Sequence, residues 1–243
     1  MKLNTTKYKS EAILILVTLL WGGTFVIVKE ALNDISSMAF IAVRFILAAI
    51  ILLPFMKIKK FNNKNILAGI FLGVLLFAGF ATQTVGLKYT AATKSGFLTG
   101  TAVIMVPFLQ ILIEKRMPTK GVIIGAIFVM IGIAFLSSGG NSIINLLEDL
   151  STNFGLGELL TLICALFFAF YIIYLDVETS KYDFYVLLFL QIITTAVLSV
   201  LFLGIFSSTG IEPMKVNITT NLIWAVLYTS IFATLITTAL QTK

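Results

Sequence analysis

Apolar residues along this chain fall into long runs separated by short polar segments, and these runs set the predicted architecture. A helix needs about 20 predominantly apolar residues to cross the hydrocarbon core of a bilayer. Because that core offers backbone groups no outside partner, such runs are expected to be helices. The sequence predicts eight transmembrane spans, numbered 1 to 8 in chain order, at residues 11–31, 36–56, 65–87, 94–114, 119–137, 156–176, 184–206 and 220–241.

The spans also repeat in register. Residues 66–88 realign with residues 221–243, with identities at Leu72/Leu227, Phe77/Phe232 and Thr82/Thr237. Residues 11–29 realign in the same way with residues 158–176. Five spans separate equivalent elements, and an odd number makes the two copies cross the bilayer in opposite directions. Such an inverted repeat is typical of secondary transporters. The predicted organisation is a first five-helix repeat at 1–137, an outer loop at 138–155 and a second, incomplete repeat at 156–243.

Composition agrees with membrane insertion. Hydrophobic residues make up 59% of the 243 residues and charged residues 12%, with a mean hydropathy of +1.05. This is far too apolar for a soluble domain of that length. The net charge is +6, and in a multi-pass membrane protein such a surplus of basic residues usually lies in loops that face the cytoplasm. We therefore expect membrane lipid, and not nucleic acid, as a partner. The N-terminal apolar run continues through Trp21 without a cleavage site, which indicates a retained helix.

The basic residues predict the orientation. With the N-terminus in the cytoplasm, cytoplasmic segments hold Lys2, Lys7, Lys9, Lys57, Lys59, Lys60, Lys64, Lys115, Arg116, Lys120, Lys181 and Lys243. The opposite side keeps Lys29, Lys88, Lys94 and Lys215. Since cytoplasmic loops carry an excess of Lys and Arg, we expect a multi-pass protein of the cell (plasma or inner) membrane with a cytoplasmic N-terminus.

Small residues spaced by four predict where helices approach closely. They occur as Gly69/Gly73 in span 3, Gly96/Gly100 in span 4 and Gly121/Gly125 in span 5. Tight packing of spans 3, 4 and 5 implies a compact five-helix unit, although each pair alone also fits a purely structural packing face. Pro107 removes a backbone hydrogen bond within span 4 and predicts a kink there.

Polar residues inside the spans indicate where a substrate path would lie, since burying one without a partner in hydrocarbon is costly. Their abundance favours a hydrated central cavity, although many Thr and Ser hydroxyls bond their own helix backbone. Arg44 lies about eight residues into span 2, where it pairs with a carboxylate, binds the carboxylate of a substrate or reaches to the outer interface. The candidate path residues are Thr18, Trp21, Phe25, Arg44, Gln83, Thr93, Phe97, Gln110, Tyr171, Tyr174 and Thr234.

Residues needed for other kinds of chemistry are scarce. The chain has no histidine and one cysteine, Cys164, so neither a disulfide framework nor a metal site is predicted. No pair of acidic residues lies together inside a span, which disfavours an intramembrane enzyme. No ATP-binding motif appears, so ATP hydrolysis is not the energy source in this chain. No cofactor is expected.

Three stretches resemble a known family. They are TLLWGGTFVIVKEAL (18–32), RFILAAIILLP (44–54) and GLKYTAATKSGFLTGTAVIMVPFLQILIEKRMPTKGVIIGAIFVMIGI (86–133). The third has a Tyr-Thr-x-Ala helix start, a mid-helix Pro-Phe, a Glu before basic residues and a Gly-rich fifth span, at Tyr89, Thr90, Ala92, Pro107, Phe108, Glu114, Gly121, Gly125 and Gly132. Together these motifs are similar to those of the EamA-type branch of the drug/metabolite transporter superfamily.

The resemblance implies an all-α integral membrane protein with a ten-helix fold of two inverted five-helix repeats. Eight of the ten helices are present, because Lys243 realigns with Lys88 and the counterpart of residues 89–137 is missing. The chain is therefore either a fragment or a natural eight-helix protein. Family members move small metabolites such as amino acids, often outward. We expect a secondary-active or facilitative exporter of small amino-acid-like or other amphipathic solutes by alternating access. The alternative is a truncated, non-transporting remnant of such a transporter.

Overall fold

The computed structural model describes residues 16–17, 20–55, 63–115, 117–137 and 142–242. Throughout that part of the chain the regular secondary structure is helical. The one extended pairing among these residues is an isolated antiparallel bridge between Ile35 and Val216. The predicted all-α class is therefore confirmed.

Eleven α-helices are present in the described residues. They are α1 Thr24–Ala31, α2 Ser37–Leu52, α3 Asn63–Tyr89, α4 Ala92–Gly100, α5 Ala102–Glu114, α6 Lys120–Ser137, α7 Ile143–Thr152, α8 Leu156–Thr179, α9 Phe184–Thr209, α10 Thr220–Ser230 and α11 Thr237–Thr242. A short 3₁₀ turn, Leu53–Phe55, extends α2, and a π-helical turn, Ile231–Ile236, joins α10 to α11.

Six segments in the described part are long and apolar enough to cross a membrane. They are Ser37–Phe55, Asn63–Tyr89, Ala92–Ile113, Leu156–Thr179, Phe184–Thr209 and Thr220–Thr242, and they correspond to predicted spans 2, 3, 4, 6, 7 and 8. Span 5 is helix α6, whose apolar part, Lys120–Phe135, is shorter. Span 1 lies partly outside the described residues and contributes α1. The structure thus supports six of the eight predicted spans at full length.

Two details of the predicted elements differ from the structure. Span 4 is interrupted at Thr101, where the backbone N–H of Thr101 turns to the Leu98 carbonyl at 3.1 Å. Pro107 lies inside α5, and the kink predicted there stays a prediction. Residues expected to form an outer loop include helix α7. Its apolar residues recur at helical spacing between charged ones, a short-range pattern that span counting does not test.

Helix α3 lies at the centre of the bundle. It packs along α8 and along α9, and α9 also packs along α2. The main apolar cluster fills the space between these four helices, and its fully buried members include Phe45, Leu72, Leu187 and Ile192. Two helices of each predicted half therefore share one core, because α2 and α3 belong to the first half and α8 and α9 to the second.

Glycines set the closest approach between the halves. A Cβ built on Gly69 would lie 2.5 Å from Leu190 Cβ, and one built on Gly73 would lie 2.5 Å from Thr194 Cβ. Both partners belong to α9. The expectation that this glycine pair compacts the first five helices is wrong, because it joins α3 to the second half instead. Helical spacing locates a close-packing face but does not identify the helix that covers it.

The helix ends gather at two ends of the bundle. The Ile35–Val216 bridge brings the α1–α2 and α9–α10 connections together, and the end of α3 and the start of α8 lie with them. We call this the Glu212 end, after a residue of the α9–α10 connection. The opposite end, where Asp183 caps the start of α9 by accepting from the Tyr185 N–H, is the Asp183 end.

Candidate functional site

A buried arginine lies between the two halves of the molecule. Arg44 on α2 is only 3% exposed. Its Nε donates to Thr234 Oγ1 at 2.6 Å, and its Nη2 donates to the carbonyl oxygen of Ala233 at 3.1 Å. Both acceptors belong to the π-helical turn of the last span. The side chain therefore reaches across the interface between halves and does not extend to the outer interface.

Trp21 meets the same backbone carbonyl from the first span. Its Nε1 donates to the Ala233 carbonyl at 3.1 Å and to Thr237 Oγ1 at 3.2 Å. The hydroxyl of Thr237 also donates to the Ala233 carbonyl, at 2.8 Å. Three donors converge on one carbonyl oxygen, and two of them come from the first half. We call Trp21, Arg44, Ala233, Thr234 and Thr237 the Arg44 cluster.

The π-helical turn makes this convergence possible. A π turn widens the helix to i→i+5 hydrogen bonds and is frequent at functional sites. The wider turn covers Ile231–Ile236 and directs the Ala233 carbonyl toward Trp21 and Arg44. Thr234 and Thr237, on the same turn and the next, are fully buried. The polar face of this helix is therefore turned into the protein and not toward lipid.

Aromatic rings form the apolar wall beside the guanidinium. The Arg44 Cζ atom lies 4.4 Å from the centroid of the Phe80 ring and 5.6 Å from that of Phe45. The two rings meet edge-on, with centroids 5.2 Å apart, and Phe80 is backed by Phe168 at 5.3 Å. A cation over an aromatic face is attracted by the ring quadrupole, more strongly when both are desolvated. The wall therefore holds the guanidinium in place.

A second buried polar group lies nearer the Asp183 end. The Tyr171 hydroxyl donates to Gln191 Oε1 at 2.9 Å, and Gln191 Nε2 donates to Thr242 Oγ1 at 3.0 Å. Thr242 in turn donates to the backbone carbonyl of Thr238. This chain of bonds links α8, α9 and α11. Tyr171 is therefore separate from the Arg44 cluster and engaged in a satisfied network of its own.

The other candidate residues do not join either group. Phe97 packs in a small apolar cluster with Met130, Ile133, Ala134 and Leu162. Phe25 faces Gly96, and Gln83 donates to Thr99 at 3.4 Å. Tyr174 meets the Phe71 ring edge-on. Thr93 is exposed and Gln110 is half-buried. Thr18 lies outside the described residues. Of the predicted path residues, the structure brings together Trp21, Arg44 and Thr234.

Several members of the site carried no sequence signal strong enough to select them. Thr237 was one of many hydroxyl residues in span 8, and the Ala233 carbonyl belongs to the backbone. Phe80 looks like any other apolar residue of span 3. The repeat of residues 66–88 at 221–243 paired Thr82 with Thr237, but it did not indicate the π turn.

Polar contacts between the halves close the Glu212 end. Glu212, 8% exposed, accepts from Lys88 Nζ at 2.5 Å and from the Ser37 backbone N–H at 2.8 Å. The carboxylate thus meets both a lysine and the N-terminus of α2, where the helix dipole favours negative charge. Nearby, the Asn217 N–H donates to the Asp34 carbonyl at 2.7 Å, and Thr219 Oγ1 donates to the Asp34 carboxylate at 2.6 Å.

A second carboxylate ties the start of α8 to the α3–α4 connection at the same end. Glu158 is 4% exposed. It accepts from Thr90 Oγ1 at 2.5 Å and from the Gly155 N–H at 3.0 Å, with Lys94 Nζ at 4.0 Å. The bond to Gly155 caps the N-terminus of α8, because a Glu at the third helical position accepts from the N–H of the N-cap residue. We therefore interpret Glu158 as structural.

A groove of about 340 Å³ separates α1 from α10. It is lined by Ile27, Glu30, Ala31, Asn221, Trp224, Ala225 and Tyr228. The groove lies toward the Glu212 end and does not include the Arg44 cluster. Trp224 is 68% exposed, so this surface faces outward from the bundle.

Comparison with known proteins identifies relatives of the chain. The profile of the EamA-like transporter family matches residues 9–138. An uncharacterized transporter of Archaeoglobus fulgidus is 35% identical over 228 residues, which cover 94% of this chain and 67% of that relative. A second uncharacterized transporter of the same organism is 26% identical over 182 residues, which cover 72% of this chain and 60% of that relative.

Proposed function

The chain belongs to the EamA-like transporter family, and from this premise we propose that it exports small metabolites by alternating access. The resemblance drawn from the motifs is confirmed, and the chain is a multi-pass membrane protein of a transporter family. That family points to a transporter and not to an enzyme. The solutes we propose are amino-acid-like or other small amphipathic molecules, and the transport is secondary-active or facilitative.

The observation that carries this proposal is the Arg44 cluster. Trp21 and Arg44 come from the first half, and Ala233, Thr234 and Thr237 come from the second. A solute that binds between two halves contacts both, and polar groups buried in the middle of spans mark substrate pathways. The π turn supplies irregular backbone at membrane depth, which is tolerated where protein or a cavity surrounds it.

Contacts at the Glu212 end support alternating access. Glu212, Asp34 and the Ile35–Val216 bridge join connections of the two halves. A path that opened at this end would require those bonds to break while the helices stayed intact. We propose that this end faces outward, because the opposite end holds Lys181, which belongs to the segments that the excess of basic residues in the sequence predicts to be cytoplasmic.

The packing of equivalent helices supports an inverted repeat. The sequence repeat makes α3 equivalent to the last span and α2 equivalent to α9. Helix α3 packs on α9, and α2 packs on α10 and on the π-helical turn, as a twofold axis between the halves requires. We propose the ten-helix inverted-repeat fold for the whole transporter, in the cell membrane.

Flux through reconstituted protein tests the function. Purified protein in sealed vesicles loaded with labelled amino acids and small organic acids should release them faster than protein-free vesicles do. Trp21→Ala should slow release about tenfold, because the indole bonds both Ala233 and Thr237. Trp224→Ala is the matched control, since Trp224 is 68% exposed and lies outside the cluster. Absence of flux for every solute, or equal flux in the two variants, contradicts the proposal.

Labelling of introduced cysteines tests the orientation. Lys215 lies near the Glu212 end and Lys181 at the Asp183 end. In a background without Cys164, a membrane-impermeant thiol reagent added to intact cells should modify Lys215→Cys and leave Lys181→Cys unmodified. The reverse pattern would place the N-terminus outside.

A further inference from the structure

We propose that Arg44 binds an anionic oxygen group of the solute, so that the transported molecule is a small acid. This inference rests on the proposed function and deepens it, because it names the chemical class that the Arg44 cluster takes. It is carried by the hydrogen bonds and the charge around the guanidinium, and not by the presence of an arginine alone.

Within the described part of the chain, the guanidinium uses less than half of its hydrogen-bonding capacity. It has five N–H donors in a fixed planar fork and no acceptor. One donor meets Thr234 and one meets the Ala233 carbonyl. Three N–H groups remain, two on Nη1 and one on Nη2. They meet no acceptor within the described part of the chain. The rings of Phe45 and Phe80 contact its face and do not accept these N–H groups in the plane.

Within the described residues the positive charge also meets no carboxylate. Among the residues that the structure describes, no carboxylate lies within ion-pair distance of Arg44, and both acceptors are neutral. Glu158 and Glu212 bind other groups at the Glu212 end. A buried guanidinium stays charged at neutral pH. An arginine that is only 3% exposed normally has its charge paired, so a site with no carboxylate among the described residues favours an incoming anion.

The geometry suits a carboxylate in particular. Nε and Nη2 face the π turn, which leaves Nη1 and the second hydrogen of Nη2 on the far edge of the fork. Two parallel N–H groups match the two oxygens of a carboxylate or a phosphate. The contacts with Thr234, Ala233 and Phe80 hold the guanidinium plane in place beforehand, which lowers the ordering cost when the anion binds.

A single-tryptophan protein provides the binding assay. Trp21 and Trp224 are the two tryptophans of the chain, so Trp224→Phe leaves Trp21 as the reporter beside Arg44. The full chain in detergent is titrated with acids and their amides of the same skeleton: propionate and propionamide, benzoate and benzamide, leucine and leucinamide, and with inorganic phosphate. We expect a saturable change in Trp21 emission with one or more acids and at least tenfold weaker binding of the matched amide.

Substitution at Arg44 tests the assignment directly. Arg44→Gln should abolish the response to acids, and Arg44→Lys should retain a response at least tenfold weaker, because lysine keeps the charge and loses the fork. A response to phosphate alone still supports an anionic oxygen group and points to phosphorylated solutes. Slow reaction of the buried Cys164 with a thiol dye shows that a variant is folded. If Arg44→Gln does not fold, the comparison of acid with amide in the parent protein decides the matter.

Three results would overturn the inference: equal binding of acid and amide, acid binding that survives in folded Arg44→Gln, or no response to any acid. Flux separates this failure from failure of the transport proposal. Flux of uncharged amides that persists in Arg44→Gln would leave the protein a transporter and refute the acid site. Acid binding without flux of any solute would leave the site and refute transport.

Discussion

Replacing Gly73 with alanine tests the contact between α3 and α9 that holds the two halves together. A Cβ at this position would lie 2.5 Å from Thr194 Cβ, 2.9 Å from Thr194 Cγ2 and 3.0 Å from the Gln191 carbonyl oxygen. Neither Thr194 Cβ nor a backbone oxygen can swing aside as the end of a long side chain does. The helices must therefore separate by about 1 Å to restore ordinary contact distances, because protein interiors are close-packed.

The expected cost follows from two opposing effects. Alanine gains about 1 kcal/mol over glycine in a helix through backbone entropy, while overpacking a filled interior costs about 1–3 kcal/mol. Gly125 on α6 is the matched control, because a Cβ there meets nothing within 4 Å. Gly125→Ala should therefore leave stability unchanged or raise it. The free energies of unfolding of the two variants should differ by about 1–3 kcal/mol, with Gly73→Ala the less stable.

The buried cysteine supplies the measurement. Cys164 has no exposed surface and is the one cysteine of the chain, so a thiol-reactive fluorophore reports thermal unfolding in detergent. For a chain of this size each kcal/mol shifts Tm by roughly 2–4 °C. Equal Tm values for Gly73→Ala and Gly125→Ala would refute the reasoning, since both variants gain the same helix propensity and only one meets a neighbour.

Two further perturbations concern the Glu212 end. Cysteines at Ile35 and Val216 in a Cys164→Ala background should form a disulfide, because opposed residues of an antiparallel bridge have Cα atoms about 4.5–5.5 Å apart. That bond should stop flux until a reductant is added, and undiminished flux in the oxidised protein would argue against opening here. Glu212→Gln and Lys88→Met should each lower Tm, with a coupling of about 0.5–3 kcal/mol in the double variant; strictly additive effects would mean that the pair does not interact.

Much of the fold can be predicted from single segments of the sequence. Helices α2, α3, α8 and α9 lie close to the predicted spans, because apolar length and the need to satisfy backbone groups inside lipid are properties of one segment at a time. The family likewise follows from local motifs at residues 86–133. Helix α7 and the break at Thr101 were missed, since neither changes the count of apolar residues.

The candidate site was predictable only in part. Arg44, Trp21 and Thr234 stood out because each is polar or amphipathic at a depth where such groups are rare. Tyr171 stood out for the same reason, yet it belongs to the separate network with Gln191. A sequence shows that a polar group lies in a span, but not which other helix satisfies it.

The sequence alone determined that the chain is helical, crosses a membrane and carries an arginine within its second span. Only the tertiary structure decided that Arg44 meets Ala233 and Thr234 across the interface between halves, and that Gly73 meets α9. The physical reason is range. Hydropathy and helix formation depend on neighbours within a few turns. The partner of a buried charge or of a glycine face depends instead on how helices distant in the sequence pack. The widened π turn supplies the acceptor carbonyl only once those helices are packed.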